Sequence, residues 1–300
     1  MRVSRIESSS FEQQQIHSFA SWLLDIGNGN IGLPDPNDPD IAKIIDIPPS
    51  LLQPSTDNTL DSLINFVYPN EVLLNPTTFN LSTRAIVCPT NETANEINSK
   101  VIALTPGEAQ SYLRNDGVIP HTHWMSDIDL LYPSEYLGQL NFSGIPLHHL
   151  TLKHNGPILL IRNLNQRLGL CNGTRLIVTQ LFNSVIEATI VTGTSIGQRV
   201  YLPRIKFIHK DPELPFVFTR KQFPIRICYA MTINKSQGQS LDRIGIYLPR
   251  PVFSHGQLYV ALSRATSQYS IKVLAIDENN EATSQTKNVV YKSLLAETYD

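Results

Sequence analysis

The sequence predicts an α/β protein with a parallel-sheet domain that is interrupted by a small antiparallel β-barrel insert. Two observations predict this fold class. The apolar run Ala85–Cys88 stops at a proline and leads into a candidate helix from Asn91, which is the βα step of a parallel sheet. From about residue 150 onward, short β-type runs alternate with Gly, Asn and Pro, as in a small barrel. We therefore expect a discontinuous sheet domain (residues 1–149 and 223–283), a barrel insert (residues 150–222) and a C-terminal tail or helix (residues 284–300).

The composition supports a folded chain. It has 300 residues, 41% of them hydrophobic and 17% charged, which excludes wholesale disorder. No stretch approaches the roughly 20 apolar residues of a membrane span, and the first ten residues lack the apolar core of a secretory signal. The three cysteines lie far apart, so neither a disulfide framework nor a cysteine-rich zinc site is indicated. We expect a soluble, intracellular protein.

The first half contains three predicted helices besides the Ala85–Cys88 strand. A helix begins near Ser10, because apolar residues from Phe11 to Leu24 recur at helical spacing before Gly27. Residues 30–80 are rich in Pro, Asn and Asp and predict loops with one short helix at Leu60–Val67. A third helix has Asn91 as its candidate cap and buries an apolar stripe. That stripe consists of Ala94, Ile97, Val101 and Leu104.

The second half changes character twice. Its first part contains the β-type runs of the insert, which are residues 158–161, 175–178, 185–191, 199–208 and 216–218. After Phe223 the α/β pattern returns, with a strand at 244–248, a helix at 256–265 and a strand at 271–276. The order predicts that the parallel sheet is completed after the insert.

Charge is distributed unevenly, although the formal net charge is only −2. Residues 1–60 carry eight acids against three bases, and residues 199–226 carry seven bases against two acids. The basic segment is compatible with contact to a polyanion, and equally with a solvated strand face.

A polar loop follows the apolar residues near Ala230. Its sequence, TINKSQGQS (residues 232–240), offers hydroxyls, amides, one lysine and backbone N–H groups at the end of a strand. Those groups suit a phosphate, and ligands of open α/β sheets collect at that edge. A plain turn with a surface lysine has the same composition, so the loop alone leaves both interpretations open.

A helix carrying an arginine comes next in the chain. In GQLYVALSRATS (residues 256–267), the residues Leu258, Ala261, Leu262 and Ala265 share one face, and Arg264 follows near the end. An arginine there is favourable with the helix dipole, and it is also able to reach an anion across a cleft.

Taken together and in this order, these two stretches resemble motifs V and VI of superfamily-one DNA helicases, and most closely the PIF type. The segment FTRKQFPIRICYAMTINKSQGQS (residues 218–240) is similar to the helicase half of Helitron transposon proteins, with Asn234 where most PIF helicases carry histidine. Residues 156–178, the first helix and residues 286–295 also resemble family segments, so the resemblance covers most of the chain. It implies a RecA-like domain of the P-loop NTPase fold.

The resemblance also shows what the chain lacks. The sequence contains no Gly-Lys dipeptide and therefore no P-loop. Met1-Arg2-Val3 resembles the end of motif IV, which implies that the first RecA-like domain is missing. Most ligands of ATP and Mg²⁺ would then lie in that missing domain. We expect the C-terminal part of a 5′-to-3′ helicase, inactive alone and nuclear by resemblance, or else a non-catalytic nucleic-acid-binding relic of a truncated transposon.

The resemblance assigns roles by position. Arg264 and Arg2 would be the arginines that meet the γ-phosphate, and Gln237 and Gly238 would lie beside the nucleotide. The residues expected to contact single-stranded DNA are Thr232, Asn234, Lys235, Ser236, Thr90 and Asn91. For Asn91, capping of the helix is the simpler role.

No metal site is expected. His121, His123, His148 and His149 lack nearby cysteines or spaced acids. Asp277-Glu278 has the form of a Walker B acid pair, but it follows the motif VI match and has no preceding lysine partner.

Overall fold

The computed structural model describes residues 10–53, 59–120, 131–140, 142, 144–147, 149–265 and 267–292. These residues form two compact units. The first comprises the described residues within 1–75, 83–104 and 229–300, and the second comprises those within 76–82 and 105–228. The described residues between 105 and 149 therefore belong with the predicted insert, whereas the sequence analysis grouped residues 105–149 with the sheet domain. The reason is long-range pairing, because Asn115–Pro120 lies beside a strand that begins at Phe216.

The elements are numbered in chain order. The α-helices are α1 (Ser10–Gly27), α2 (Leu60–Val67), α3 (Asn70–Leu74), α4 (Thr78–Ser82), α5 (Asn91–Leu104), α6 (Ser134–Gln139) and α7 (Gln257–Leu262). The strands are β1 (Leu33–Pro34), β2 (Ala42–Asp46), β3 (Arg84–Cys88), β4 (Gln110–Leu113), β5 (Asn115–Pro120), β6 (His149–Leu152), β7 (Pro157–Leu160), β8 (Arg175–Leu181), β9 (Val185–Ile190), β10 (Arg199–Pro203), β11 (Ile205–His209), β12 (Phe216–Gln222), β13 (Ile225–Ile227), β14 (Ala230–Thr232), β15 (Arg243–Leu248), β16 (Ile271–Ile276), β17 (Ala282–Thr283) and β18 (Gln285–Val289). None of the helices in the described parts of the chain is both long and apolar enough to cross a membrane.

A five-stranded sheet organises the first unit, in the order β14-β3-β15-β16-β17. The first four strands are parallel, and β17 is antiparallel. Residues Ala85–Cys88 are completely buried, as expected for a parallel strand that is covered on both faces. Helix α2 packs closely on β15, because a side chain at Gly245 would lie 3.0 Å from atoms of Leu63 and Val67. The predicted βα step from β3 into α5 is confirmed.

A second, three-stranded sheet in this unit has the order β1-β2-β18. It includes Gln285–Val289, which the sequence analysis placed in a C-terminal tail or helix. These residues form a strand because they pair along the whole of β2. The strand also holds the first helix, since the buried amide of Asn288 donates to the carbonyl of Ile26 (2.9 Å).

Two helical stripes differ from the predicted ones. In α1, Phe19, Leu23 and Ile26 are buried, but Leu24 is 57% exposed. In α5, Leu104 is 58% exposed and therefore does not belong to the buried stripe. Asn98, a polar residue of α5, is buried together with Ala94, Ile97 and Val101. Its contacts are part of the candidate functional site.

The second unit is antiparallel. Its sheets have the orders β10-β9-β8-β7-β13, β11-β12-β5 and β4-β6. The single predicted run at 199–208 is divided between two of these sheets, because β10 ends at Pro203 and pairs with β9, whereas β11 pairs with β12. The core of the five-stranded sheet is mainly aliphatic and also contains Tyr112 and Phe223. The core beside β11-β12-β5 contains Phe207, Phe216 and Phe218 together with aliphatic residues.

Candidate functional site

The candidate residues follow two neighbouring parallel strands. In the register of β14 against β3, Thr232 lies opposite Cys88. The segments that leave these two strands therefore emerge at the same edge of the sheet, the edge at which open α/β sheets bind ligands. One segment contains Thr90 and Asn91, and the other begins with the loop after Thr232. The structure thus brings the two predicted groups of DNA contacts to one edge.

At this edge Thr90 caps α5. Its hydroxyl accepts a hydrogen bond from the backbone N–H of Thr93 (3.3 Å), and its carbonyl accepts one from Ala94 (3.2 Å). Asn91 is the first residue of the helix and is exposed. The capping role expected for Asn91 is therefore wrong, because the side chain in the cap position is that of Thr90. Asn91 keeps an outward position at the start of the helix.

The loop after β14 begins with a short 3₁₀ helix, Ile233–Ser236. Ile233 and Ser236 are fully buried, and the hydroxyl of Ser236 donates to the carbonyl of Ile233 (2.7 Å). Ser236, which was predicted to touch DNA, thus lies inside the loop and holds its turn. Asn234 is exposed, and Lys235 is half-buried.

The outer part of the loop is Gln237 and Gly238, and both are exposed. Gly238 has a φ of +80°, with no atom within 4 Å of where a Cβ would stand. Glycine is required there by the left-handed backbone conformation and not by close packing. The predicted nucleotide-binding pair is accordingly a turn open to solvent.

The loop crosses the sheet from one end to the other. Thr232 lies at the end of β3 marked by Cys88, whereas the N–H groups of Asp242 and Arg243 donate to Thr83, beside the start of the same strand. Residues 84 and 88 are four steps apart, so about 13 Å separates the two ends. The start of the loop faces the edge with Thr90, and its finish faces the opposite edge.

Arg264 lies at that opposite edge. Its backbone carbonyl accepts a hydrogen bond from Leu241 (3.0 Å), and Ala265 forms a parallel bridge with Leu241. Its guanidinium donates to the carbonyl of Gln239 (NH1, 3.2 Å). The predicted proximity of the motif VI arginine to the loop is therefore observed.

The electrostatics of Arg264 are unusual for a half-buried cation. Besides Gln239, its guanidinium donates to the carbonyl of Val260 (Nε, 2.9 Å) and to the hydroxyl of Ser263 (NH2, 2.9 Å). In the described part of the chain its hydrogen-bond partners are all uncharged. Burial lowers the pKa of Arg264 below its usual value, because the charged form loses hydration without a counter-ion. Such a group stabilises an anion that approaches it.

Two residues of the site have no counterpart among the predicted ones. The amide of Asn98 donates to the carbonyl of Ala230 (2.9 Å) and accepts from its N–H (2.8 Å), which fixes the strand that leads into the loop. Its signal in the sequence was a polar residue between Ile97 and Val101 on a buried face, where polar groups need partners. Gln239 is the second, and its contacts depend on the fold of the loop.

Other candidates have structural roles. Asp277 accepts hydrogen bonds from the N–H groups of Asn279 and Glu281 (2.9 and 2.8 Å) and so builds the turn between β16 and β17. No group of three His, Cys, Asp or Glu that could hold a metal occurs in the described ranges. Arg2, His121, His123 and His148 lie outside the described residues.

Much of the basic segment is used within the second unit. Arg220 is 1% exposed and pairs with Asp116 (Nε–Oδ1 2.9 Å), which also forms an ion pair with Arg114. Burial and the charge of Arg220 lower the pKa of Arg114 to about 10. Arg204 donates to the carbonyl of Leu113 (2.7 Å). Of the bases in this segment, exposed ones such as Lys206 and Lys221, which face each other across β11 and β12, remain available to solvent.

The comparisons with known proteins agree with this architecture. The family described as "DNA helicase Pif1, 2B domain" matches residues 135–181, which lie in the second unit. The ATP-dependent DNA helicase PIF1 of Danio rerio is 34% identical over 148 residues, 49% of this chain and 23% of the relative. The human PIF1 is 36% identical over 134 residues, 43% of this chain and 20% of the relative. The chain thus spans less than a quarter of the length of these curated relatives.

Solved structures show the same fold across almost the whole chain. The Pif1 helicase of Candida albicans matches with a TM-score of 0.55 and 19% identity, covering 96% of this chain and 58% of that one. A Bacteroides Pif1 helicase in complex with ADP-AlF3 and ssDNA matches with a TM-score of 0.54 and 19% identity, covering 94% and 52%. The fold is therefore the RecA-like fold of the P-loop NTPases, with an antiparallel unit inserted.

Within that class the chain is a relative of the Pif1 DNA helicases.

Proposed function

We propose that this chain supplies the second RecA-like half of an ATP-dependent DNA helicase, which couples ATP hydrolysis to 5′-to-3′ movement along single-stranded DNA and to unwinding of a duplex. One observation carries the proposal. Arg264 is a half-buried guanidinium with uncharged partners, and it is bonded to the loop whose other end lies beside Thr90. An anion site and a candidate DNA site are thereby built on one continuous loop.

At the nucleotide end, Arg264 acts on the γ-phosphate of ATP held by the other half. Its three observed hydrogen bonds use three of the five N–H donors of a guanidinium. The two remaining donors pair with phosphate oxygens as negative charge develops during transfer. Gln237 and Gly238 form an exposed part of the same loop and are proposed to lie beside the nucleotide, and Arg2 is the second proposed arginine.

Mg²⁺ would neutralise charge on the phosphates of bound ATP. The described residues do not fit a site for it, because no cluster of three suitable ligands is present and the Asp277 carboxylate is used in a turn. We propose that its protein ligands lie in the other half, together with the P-loop that this sequence lacks.

At the DNA end, Thr232, Asn234 and Lys235 contact phosphates of one strand, together with Thr90 and Asn91. Such contacts position a strand without reading its sequence. Asn234 and Asn91 are exposed at this edge, and Lys235 provides the positive charge. Because Ser236 is buried, its part is to hold the turn that presents its neighbours.

DNA binding by this chain alone is the first test. We expect a fluorescein-labelled oligo(dT) to bind weakly and to lose affinity as salt rises from 50 to 200 mM, with a log–log slope of about −0.7 for each phosphate neutralised. Lys235→Met should weaken binding and flatten the slope by about 0.7. Lys100→Met, which changes an exposed lysine of α5, is the matched control. Binding that is independent of salt, or equal losses in the two variants, would argue against the phosphate contacts.

Hydrolysis is the second test. In a protein that joins this chain to a first RecA-like domain, Arg264→Ala should lower kcat by a factor on the order of 10³–10⁵. Nucleotide binding should change little, because the arginine acts on charge that develops in the transition state. Normal turnover in that variant would remove Arg264 from the mechanism.

A second candidate is a non-catalytic nucleic-acid-binding relic of a truncated transposon. The Helitron-like segment with Asn234 supports such an origin, and the intact loop and Arg264 support the enzyme half. The nucleotide sequence before Met1 distinguishes them. A P-loop in frame supports the helicase, whereas stop codons support the relic. A nuclear location is proposed for either.

A further inference from the structure

Gln239 lies between the 3₁₀ turn of the loop and Arg264, and it is hydrogen-bonded to both. Its side-chain Nε2 donates to the carbonyl of Lys235 (3.1 Å), and its own carbonyl accepts from Arg264 NH1 (3.2 Å). We propose that Gln239 is a positioning residue that couples the DNA end of the loop to the arginine at the nucleotide end. This inference rests on the proposed function, because it assigns a route between the two sites named there.

The route is short and stiff. The backbone N–H of Gln239 donates to Ser236 (3.1 Å), so main chain and side chain of one residue hold the preceding turn at two adjacent carbonyls. Ile233 and Ser236 are fully buried, and their packing resists bending of that turn. A displacement of Lys235 therefore moves Gln239 as a unit, and its carbonyl moves with it.

On the far side, the guanidinium has few other connections. Among the described residues, its other hydrogen-bond partners are Val260 and Ser263, which lie within four positions of Arg264 in the chain. In the described structure, the carbonyl of Gln239 is the hydrogen-bond partner that ties this guanidinium to the loop. A change in the loop thus reaches the charged group of Arg264 through Gln239.

The side chain of Gln239 is also not fully satisfied. Its Oε1 is buried and has no hydrogen-bond partner among the described atoms. An unsatisfied buried acceptor costs about 1–3 kcal/mol, which lowers the free energy needed to reach a second arrangement in which that oxygen finds a donor. A loop with two arrangements of similar free energy is what coupling between two sites requires.

The test follows the guanidinium of Arg264 while DNA binds at the other end. The chain is labelled with ¹⁵N-arginine, and the Nε–Hε resonance of Arg264 is assigned by its loss in Arg264→Lys. Oligo(dT) is added to saturation, and the change in this resonance is recorded. Wild-type protein should show a change on DNA binding, and Gln239→Met should lose it, because methionine cannot donate to the carbonyl of Lys235.

Two further variants separate coupling from general damage. Gln239→Glu keeps the length of the side chain but cannot donate to Lys235, so it should also lose the response. Gln285→Met removes a glutamine whose amide bonds Asp46 at a distant strand, and it should respond like the wild type. Thermal melts identify any variant that fails to fold.

The outcomes distinguish this inference from the proposed function. If the wild type binds DNA and Arg264 does not respond, or if both Gln239 variants respond like the wild type, the coupling is refuted and the DNA site stands. If the wild type fails to bind oligo(dT) at low salt, the proposed function fails, and the coupling fails with it.

Discussion

Asn98 closes the open edge of the parallel sheet, and its replacement by leucine is expected to destabilise the first unit. Strand β14 is the edge strand of this sheet. The carbonyl of Tyr229, the residue before β14, accepts a hydrogen bond from the N–H of Ile86 on β3. The N–H and carbonyl of Ala230 therefore point away from β3, and Asn98 satisfies both at 2.8 and 2.9 Å. The side chain takes the place of a neighbouring strand for one residue.

The magnitude follows from the groups left behind. Asn98→Leu changes little volume but leaves two polar atoms of Ala230, itself 2% exposed, without partners. At about 1–3 kcal/mol for each orphaned group, we expect a loss of about 4 kcal/mol in the free energy of unfolding. For a unit of this size that lowers Tm by about 8–16 °C.

The assay combines urea unfolding, followed by circular dichroism, with hydrogen exchange of the peptide that contains Ala230. Ser99→Leu places the same side chain at an exposed position one residue along α5 and should cost no more than about 0.5 kcal/mol. A stability of Asn98→Leu within 1 kcal/mol of the wild type (about the cost of one net hydrogen bond), with protection of Ala230 unchanged, would refute the reasoning.

Three other predictions concern charge and thiol chemistry. Asp116→Asn leaves two buried guanidinium groups without their carboxylate and should lower the unfolding free energy of the second unit by about 3–5 kcal/mol in urea titrations; an unchanged midpoint would show that the pair is dispensable. The hydrogen bond from Lys287 lowers the pKa of Asp35, so its stabilisation is present above the unfolded pKa and is lost as pH falls through the folded one. Lys287→Met should therefore destabilise the protein at pH 7, and the difference from the wild type should shrink with acid; a difference that grows in acid would contradict the assignment. Burial raises the pKa of Cys88 to about 12, so a thiol reagent at pH 8 should modify the less buried Cys171 first and Cys88 only as the protein unfolds; equal rates would contradict the burial.

Local patterns predicted the elements well where neighbours in sequence decide them. The bounds of α2 and β16 coincide with the predicted Leu60–Val67 and 271–276. Membership of residues 105–149 was not predictable in this way, because it depends on β5 pairing with β12 about a hundred residues later. Leu104 also satisfies the helical period, but its apolar side chain is 58% exposed, because burial depends on neighbouring elements and not on the period alone.

The candidate site was also predictable only where the local sequence decides it. The order of the two motifs predicted that Arg264 lies near the loop, and its hydrogen bond to the carbonyl of Gln239 shows this proximity. The separation of the loop into two ends was not predictable, because it requires the register of β14 and β15 against β3. The buried position of Ser236 also requires the packed loop, since nothing in its sequence distinguishes it from a surface serine.

Strand β3 explains how one loop reaches both of the proposed sites. Its end at Cys88 lies beside Thr232, and its start at Arg84 lies beside Arg243, so a connection between β14 and β15 has to cross the sheet. A crossing of about 13 Å is made here by a buried turn and a left-handed glycine, and no long helix intervenes. Because few residues connect the two ends of the loop, a displacement of one end is transmitted to the other end. The parallel order of the sheet, more than any single side chain, therefore makes this loop suited to the coupling that we propose between the DNA contacts and Arg264.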